Sequence, residues 1–338
     1  RHTRFRNVTG VQTCALPIFD SDKNDASPDS VPGATGLWSE LRVGAAFLTR
    51  LPIELTEAEA DRKLADVAWV FPVVGAGVGL AAGAALYIGL WLGLDPLAAA
   101  LLAVGSAVML TGGLHEDGLA DVADGFGGGA DREEKLRIMA DSSIGAFGVI
   151  ALIVAIGLRT TIVAGMVGPG MAVLALVGAG IGSRAALPIL MATLDAARAG
   201  GLGARAGVPK RSDLVITMLI AAVAMLAILG SIPGIAAFLA GAAAFVAVSG
   251  IAQRQIGGFT GDVLGTLQQS TEIAILAAVA SAPPRVDAPE IPPPRNGKRP
   301  RATASAEAVG TIIGNVVAQS LTWLAAMARS SLPLRVTA

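Results

Sequence analysis

Hydrophobic and polar positions are segregated into long blocks along most of this chain. Apolar residues dominate 67–93, 97–114, 146–167, 171–194, 214–231, 234–251 and 263–281. Each block is close to the twenty or so residues that carry a helix across about 30 Å of hydrocarbon. The pattern predicts an all-α fold, a polytopic membrane helix bundle of about seven spans. Pro72 is expected to kink the start of the first span. Asp95 and Pro96 make a turn before the second, which is expected to continue as one helix into the acidic stretch "HEDGLADVADGFGGG". The seventh is the weakest, because it carries Gln268, Gln269 and Glu272. The continuous runs argue against a membrane β-barrel, whose strands would alternate over about ten residues.

The polar blocks divide the rest of the chain. "LWSELRVGAAFLTRLPI" (37–53) is amphipathic and predicts a helix at the membrane interface. "ELTEAEADRKLADVAW" (54–69) reads as a polar helix. Residues 1–36 are expected to be a disordered or non-native leader, their first part resembling translated sequencing adapter. Residues 37–281 form the membrane domain. A proline-rich linker is expected over 282–304, and a hydrophobic C-terminal extension over 305–338.

Charge placement sets the topology. Arg62, Lys63, Arg132, Lys135, Arg137, Arg198, Arg205, Lys210, Arg211 and Arg254 all fall on one side if the spans alternate. The opposite turns, "GLDP", "GPG" and "GSIPG", carry no Lys or Arg. Positively charged loops stay in the cytoplasm, so the acidic stretch is expected at the cytoplasmic face. Composition agrees with a membrane protein. Charged residues are 15% of the chain, against about 25% in soluble domains, and the mean hydropathy is +0.65. The bilayer is the expected surrounding, and nucleic acid is not an expected partner. With Cys14 the lone cysteine and His2 and His115 the only histidines, cysteine- or histidine-based metal sites are excluded.

The candidate chemistry lies in the acidic stretch. On a helix, Asp117, Asp121 and Asp124 stand at i, i+4 and i+7 and share one face. Like charges stacked in this way repel one another, and a divalent cation would remove the repulsion. Oxygen donors alone favour Mg²⁺ or Mn²⁺. Glu116 adds a carboxylate at the helix edge, and Asp141 could approach from a neighbouring helix. Gly118 and Gly125 leave room for a ligand near the backbone. Gly127 and Gly128, in "GFGGG", are expected to end the helix and offer N–H groups to phosphate. Cation, phosphate and small residues together suggest phosphoryl or nucleotidyl transfer. Asp262, in "GGFTGDVLG", is a weaker second element. Glu272 and Arg184 lie inside spans, where ionisable groups are costly, and either pair with each other or serve the site. His115 is either a base or a hydrogen-bonding interface residue.

"FLTRLPI", "FPVVGAGVGL", "GGLHEDGLADVADGFGGG", "RIMADSSIGAFG" and "GGFTGDVLG" together resemble the cobalamin synthase family over residues 40–280. The resemblance implies a multi-pass enzyme of the bacterial inner membrane with its site facing the cytoplasm. It implies Mg²⁺-dependent joining of adenosylcobinamide-GDP to α-ribazole or its 5'-phosphate, with release of GMP. The family in turn is similar to CDP-alcohol phosphotransferases, whose D-x-x-D-G element falls here on Asp121, Asp124 and Gly125. The alanine-arginine pair that follows it in those enzymes is replaced by "FGGGAD". The roles implied are Mg²⁺ ligation by Asp117, Asp121, Asp124 and Asp141, and proton removal from a ribose hydroxyl by Asp141 or Glu116. Substrate contacts fall to Gly118, Gly125, Gly127, Gly128 and Asp262. Two rival functions remain at this point, a CDP-alcohol phosphatidyltransferase and a cation transporter.

Overall fold

A computed structural model describes residues 36–282 except Val167. The readings of 1–35, of most of the proline-rich stretch and of 305–338 lie outside the described residues, as does Cys14. Among the described residues the chain is helical, and its one β-bridge joins Ala196 to Phe259.

Two short helices open the domain, α1 (Leu37–Leu48) and α2 (Glu57–Ala60). The second corrects the expectation of a long polar helix over 54–69. Thr56 and Glu59 cap each other's backbone N–H, but the helix stops at Ala60. A 3₁₀ stretch over Leu64–Val70 follows, and α3 (Phe71–Trp91) starts directly after it. Pro72 sits in the first turn of α3, where its missing N–H costs nothing, so it begins the span and does not kink it.

The expected second span is also corrected. α4 (Pro96–Thr111) and α5 (Leu114–Gly128) are separate helices bent by 91°. Gly112 and Gly113 lie between them at φ +67° and +72°, a left-handed pair that L side chains adopt only with strain. The Gly113 N–H donates to Val108 O at 2.9 Å and closes the last turn of α4. Arg50 N–H donates to Leu110 O at 2.7 Å, and the Arg50 side chain occupies the space a Cβ at Gly112 would need. The acidic stretch is therefore redirected across the bundle.

α6 (Arg132–Ile138), α7 (Ala146–Gly165), α8 (Pro169–Thr193), α9 (Gly201–Arg205), α10 (Arg211–Leu229), α11 (Ser231–Ile256) and α12 (Gly261–Ser281) complete the domain. Six helices are long and apolar enough to cross a membrane, or seven if the bent pair is one span. α3 and α8 meet through glycine: a Cβ at Gly75 would strike the Gly180 carbonyl, and one at Gly79 the Leu176 carbonyl. Such close backbone approach is how helices associate where no hydrophobic force separates protein from lipid. α12 is the least apolar span because it is the central one. It packs against α5, α7, α8 and α11 and buries Gln268, Gln269 and Glu272 among them.

Candidate active site at the start of the central helix

α5 runs against the N-terminal half of α12. Their backbones touch where Gly118 faces Asp262, whose carbonyl oxygen would be 2.8 Å from a Cβ at Gly118, and where Gly265 faces His115. Thr266 Oγ1 donates to Gly118 O at 3.2 Å across the same contact. This approach brings Asp262, in the first turn of α12, to the face of α5 that carries Asp117 and Asp121. Asp121 is half-buried and lies in the electrostatic field of Asp117, Asp262 and Asp124, with Arg198 as the opposing charge. Asp117 is exposed. Neither Asp117 nor Asp121 accepts a hydrogen bond among the described residues, whereas Asp262 accepts from Thr260 Oγ1 at 3.0 Å.

The other acids are held differently. Asp124 is buried, and its two oxygens accept the backbone N–H of Gly145 at 2.7 Å and of Gly148 at 2.9 Å. It thereby caps the N-terminus of α7 from a different helix, a favourable place for a carboxylate. A Cβ at either glycine would collide with the Asp124 carboxylate. Asp141 is exposed and accepts the Ser143 N–H at 2.9 Å, a bond that holds its carboxyl below the ordinary range. The structure keeps Asp141 in this turn, apart from the field around Asp121.

Glu116 points into the bundle, where its Oε1 accepts from Arg159 Nη2 at 3.0 Å and Gln269 Nε2 at 2.9 Å. Arg159 also reaches Glu272 Oε1 at 3.5 Å, and Arg184 Nη1 donates to Glu272 Oε2 at 2.7 Å. Gln268 donates to Glu272 and to Ser183, which closes a buried network across α5, α7, α8 and α12. Of the two readings of Glu272 and Arg184, the structure shows the pairing. Arg159 is the residue that the sequence reading passed over. Its signal was visible, a single arginine within an otherwise apolar run. His115 is buried beside these arginines, and among the described residues neither ring nitrogen has a hydrogen-bond partner.

The glycines have packing partners. Gly125 lies against Met139 and the Lys135 carbonyl, and a Cβ at Gly127 would be 2.8 Å from the Phe147 ring. α5 continues through Gly128, and Gly129 N–H bonds to Gly125 O. "GFGGG" ends the helix, as expected, but the expectation of free N–H groups there is corrected: those groups are inside the helix, and it is carbonyls that emerge at this end.

The loop before α9 completes the site. Ala197 N–H donates to Phe259 O at 2.8 Å and Phe259 N–H to Asp195 O at 2.9 Å. Arg132, in α6, fastens both sides, donating from Nε to Ile256 O at 2.9 Å and from Nη2 to Ala197 O. Arg198 follows directly, with Nη2 at 3.7 Å from Asp262 Oδ2. Among the described residues no three acidic, histidine or cysteine side chains converge as a ready-made metal cage. The donor set is nonetheless all oxygen, and Mg²⁺ characteristically takes one or two carboxylates and fills its remaining positions with water and substrate phosphate. Asp117 and Asp121, unpartnered at the rim, fit that mode.

An all-helical bundle of membrane-spanning length, with acids and an arginine gathered where α7 and α12 begin, defines a multi-pass membrane protein with a polar site at one end of the bundle. The chain belongs to the cobalamin-5-phosphate synthase family, which matches residues 40–280. It is a transferase of cobalamin biosynthesis. The adenosylcobinamide-GDP ribazoletransferase of Bradyrhizobium diazoefficiens is 42% identical over 243 residues, covering 72% of this chain and 94% of that protein. That of Azorhizobium caulinodans is 44% identical over 249 residues, covering 70% and 94%. That of Rhizobium meliloti is 40% identical over 260 residues, covering 73% and 97%. No solved structure matches.

Proposed function

We propose that this chain joins adenosylcobinamide-GDP to α-ribazole, or to its 5'-phosphate, at the rim formed by α5, the start of α12 and the Arg198 loop. The observation that carries the proposal is the half-buried Asp121 among three other carboxylates, with no hydrogen-bond donor of its own among the described residues. Mg²⁺ bound by Asp117 and Asp121 would neutralise the diphosphate and stabilise charge on the departing phosphate. Asp124 fixes α5 to the N-terminus of α7, which holds the helix carrying the two rim aspartates in place. A ribose hydroxyl of ribazole attacks the phosphorus bonded to cobinamide. The bond from that phosphorus to the bridging oxygen breaks, and GMP leaves. The proton of the attacking hydroxyl goes to a rim carboxylate that is not bound to the cation, a role open to Asp262, which shares the rim with Asp117 and Asp121.

The site faces the cytoplasm of a bacterial inner membrane in this proposal, because the basic residues around α6 and the Arg198 loop lie on the same side. The test is direct. Membranes carrying the protein are incubated with adenosylcobinamide-GDP and α-ribazole, with and without Mg²⁺, and cobalamin and GMP are separated by chromatography. Product that depends on Mg²⁺ is expected, and Asp121→Asn should abolish it while the protein still inserts. Full turnover in Asp121→Asn would remove the cation from this site.

A further inference from the structure

The rim has an excess of negative charge, and its substrate carries a diphosphate. Asp117, Asp121 and Asp262 would repel that group without help. Among the described residues Arg198 is the cation whose field reaches both Asp121 and Asp262. The other nearby arginines are committed elsewhere. Arg159 and Arg184 are buried against Glu116 and Glu272, and Arg132 is spent on two backbone carbonyls.

Arg198 differs from them in one respect. The chain just before it is fastened, while its guanidinium is held by one ion pair alone. The bridge between Ala196 and Phe259 and the Arg132 clamp on Ala197 O hold the chain immediately before it. The guanidinium itself makes no hydrogen bond among the described residues. It stands 3.7 Å from Asp262 Oδ2, and its side chain is 36% exposed. Gly201, at φ +74°, lies beneath it, 3.6 Å from Nε to where a Cβ would be. An arginine in this state has five N–H donors to offer, and a planar fork that matches two phosphate oxygens at once.

We propose that Arg198 binds the diphosphate of the nucleotide substrate, turning from Asp262 to the phosphate oxygens and holding them through the departure of GMP. This rests on the transferase reading above. It also gives Asp262 a resting-state role: it keeps the guanidinium at the rim until the substrate arrives.

The test compares wild type, Arg198→Lys and Arg198→Ala as full-length protein in membranes. Two quantities are read: steady-state kinetics with each substrate varied, and binding of GDP alone. Loss of one charge-stabilising donor costs about 10²–10³ in kcat. Arg198→Ala should therefore lose roughly that factor in kcat/KM for adenosylcobinamide-GDP. Its KM for α-ribazole should stay unchanged and its GDP affinity should fall at least about tenfold, the loss of one charge-assisted contact. Arg198→Lys should recover part of the loss, because it restores charge without the fork. Guanidinium ion added to Arg198→Ala should restore turnover, an effect a purely structural residue would not show. An Arg198→Ala protein with wild-type kcat/KM and GDP affinity overturns the inference, as does an equal rise in both KM values without rescue. If wild type itself makes no cobalamin and GMP, the transferase reading falls and this inference with it; an active wild type beside an unaffected Arg198→Ala removes the inference alone.

Discussion

Arg159→Met tests whether the buried network holds α5 in place. Arg159 is 2% exposed, and its guanidinium joins Glu116 at 3.0 Å and Glu272 at 3.5 Å. Methionine keeps the apolar volume and removes the charge. Glu272 would retain Arg184 at 2.7 Å and the Gln268 amide. Among the described residues Glu116 would retain only Gln269 Nε2 at 2.9 Å, and its Oε2 already has no partner there. The cost therefore falls on Glu116. Leaving one member of a buried pair uncompensated costs about 3–5 kcal/mol. At ~2–4 °C per kcal/mol for domains of 150–250 residues, the unfolding midpoint should drop by roughly 10 °C. Adding Glu116→Gln removes the stranded charge and should return most of that loss. The assay is thermal unfolding of detergent-solubilised protein, followed by circular dichroism, for wild type, both single variants and the double. An Arg159→Met protein that melts with wild type refutes the reasoning. So does a double variant that melts no higher than Arg159→Met.

Two further outcomes follow from the contacts around the site. Gly148→Ala places a methyl against the Asp124 carboxylate, which must shift and weaken its bonds to the α7 N-terminus; hydrogen exchange at residues 145–149 should accelerate and turnover should fall, while exchange at α10 stays unchanged. Gly75→Ala drives a Cβ into the Gly180 carbonyl and forces α3 from α8; a loss of about 1–3 kcal/mol, read as a lower midpoint in the same unfolding assay, is expected for such overpacking.

The spans were legible in the sequence because burial in lipid demands long apolar runs, and nothing shorter produces them. Their ends lie within a few residues of the observed helices, and α8 and α12 were visible despite Arg184 and Glu272. The 91° break was not legible. Gly-Gly within an apolar run is compatible with a continuous helix, whereas here both glycines take left-handed φ and Arg50, distant in sequence, fills the space beside Gly112. The grouping of Asp117, Asp121 and Asp124 on one face followed from helical periodicity alone. The donors that reach Asp124 did not, because they belong to the start of another helix. The glycines were open to two explanations, ligand access or helix approach. Gly118, Gly125 and Gly127 meet Asp262, Met139 and Phe147 respectively, and only the tertiary structure shows this.

Four acids within nine residues of α5 thus have three different surroundings, and the number of donors each one finds separates them. Asp124 takes two backbone N–H groups, and Glu116 takes an arginine and an amide. A buried carboxylate without such partners would be expensive, so these two are tied to the scaffold by the same bonds that make their burial tolerable. Asp117 and Asp121 find no donor among the described residues, and they are the two that water, a cation or a substrate can still reach. Their repulsion is sustained by the scaffold, because Asp124 and Glu116 hold α5 from both ends of the motif. Releasing either anchor would let α5 move relative to α12 and lower the repulsion between its two rim aspartates and Asp262. The structural acids and the rim acids are therefore coupled through one rigid helix. That coupling explains why a single short motif carries both kinds.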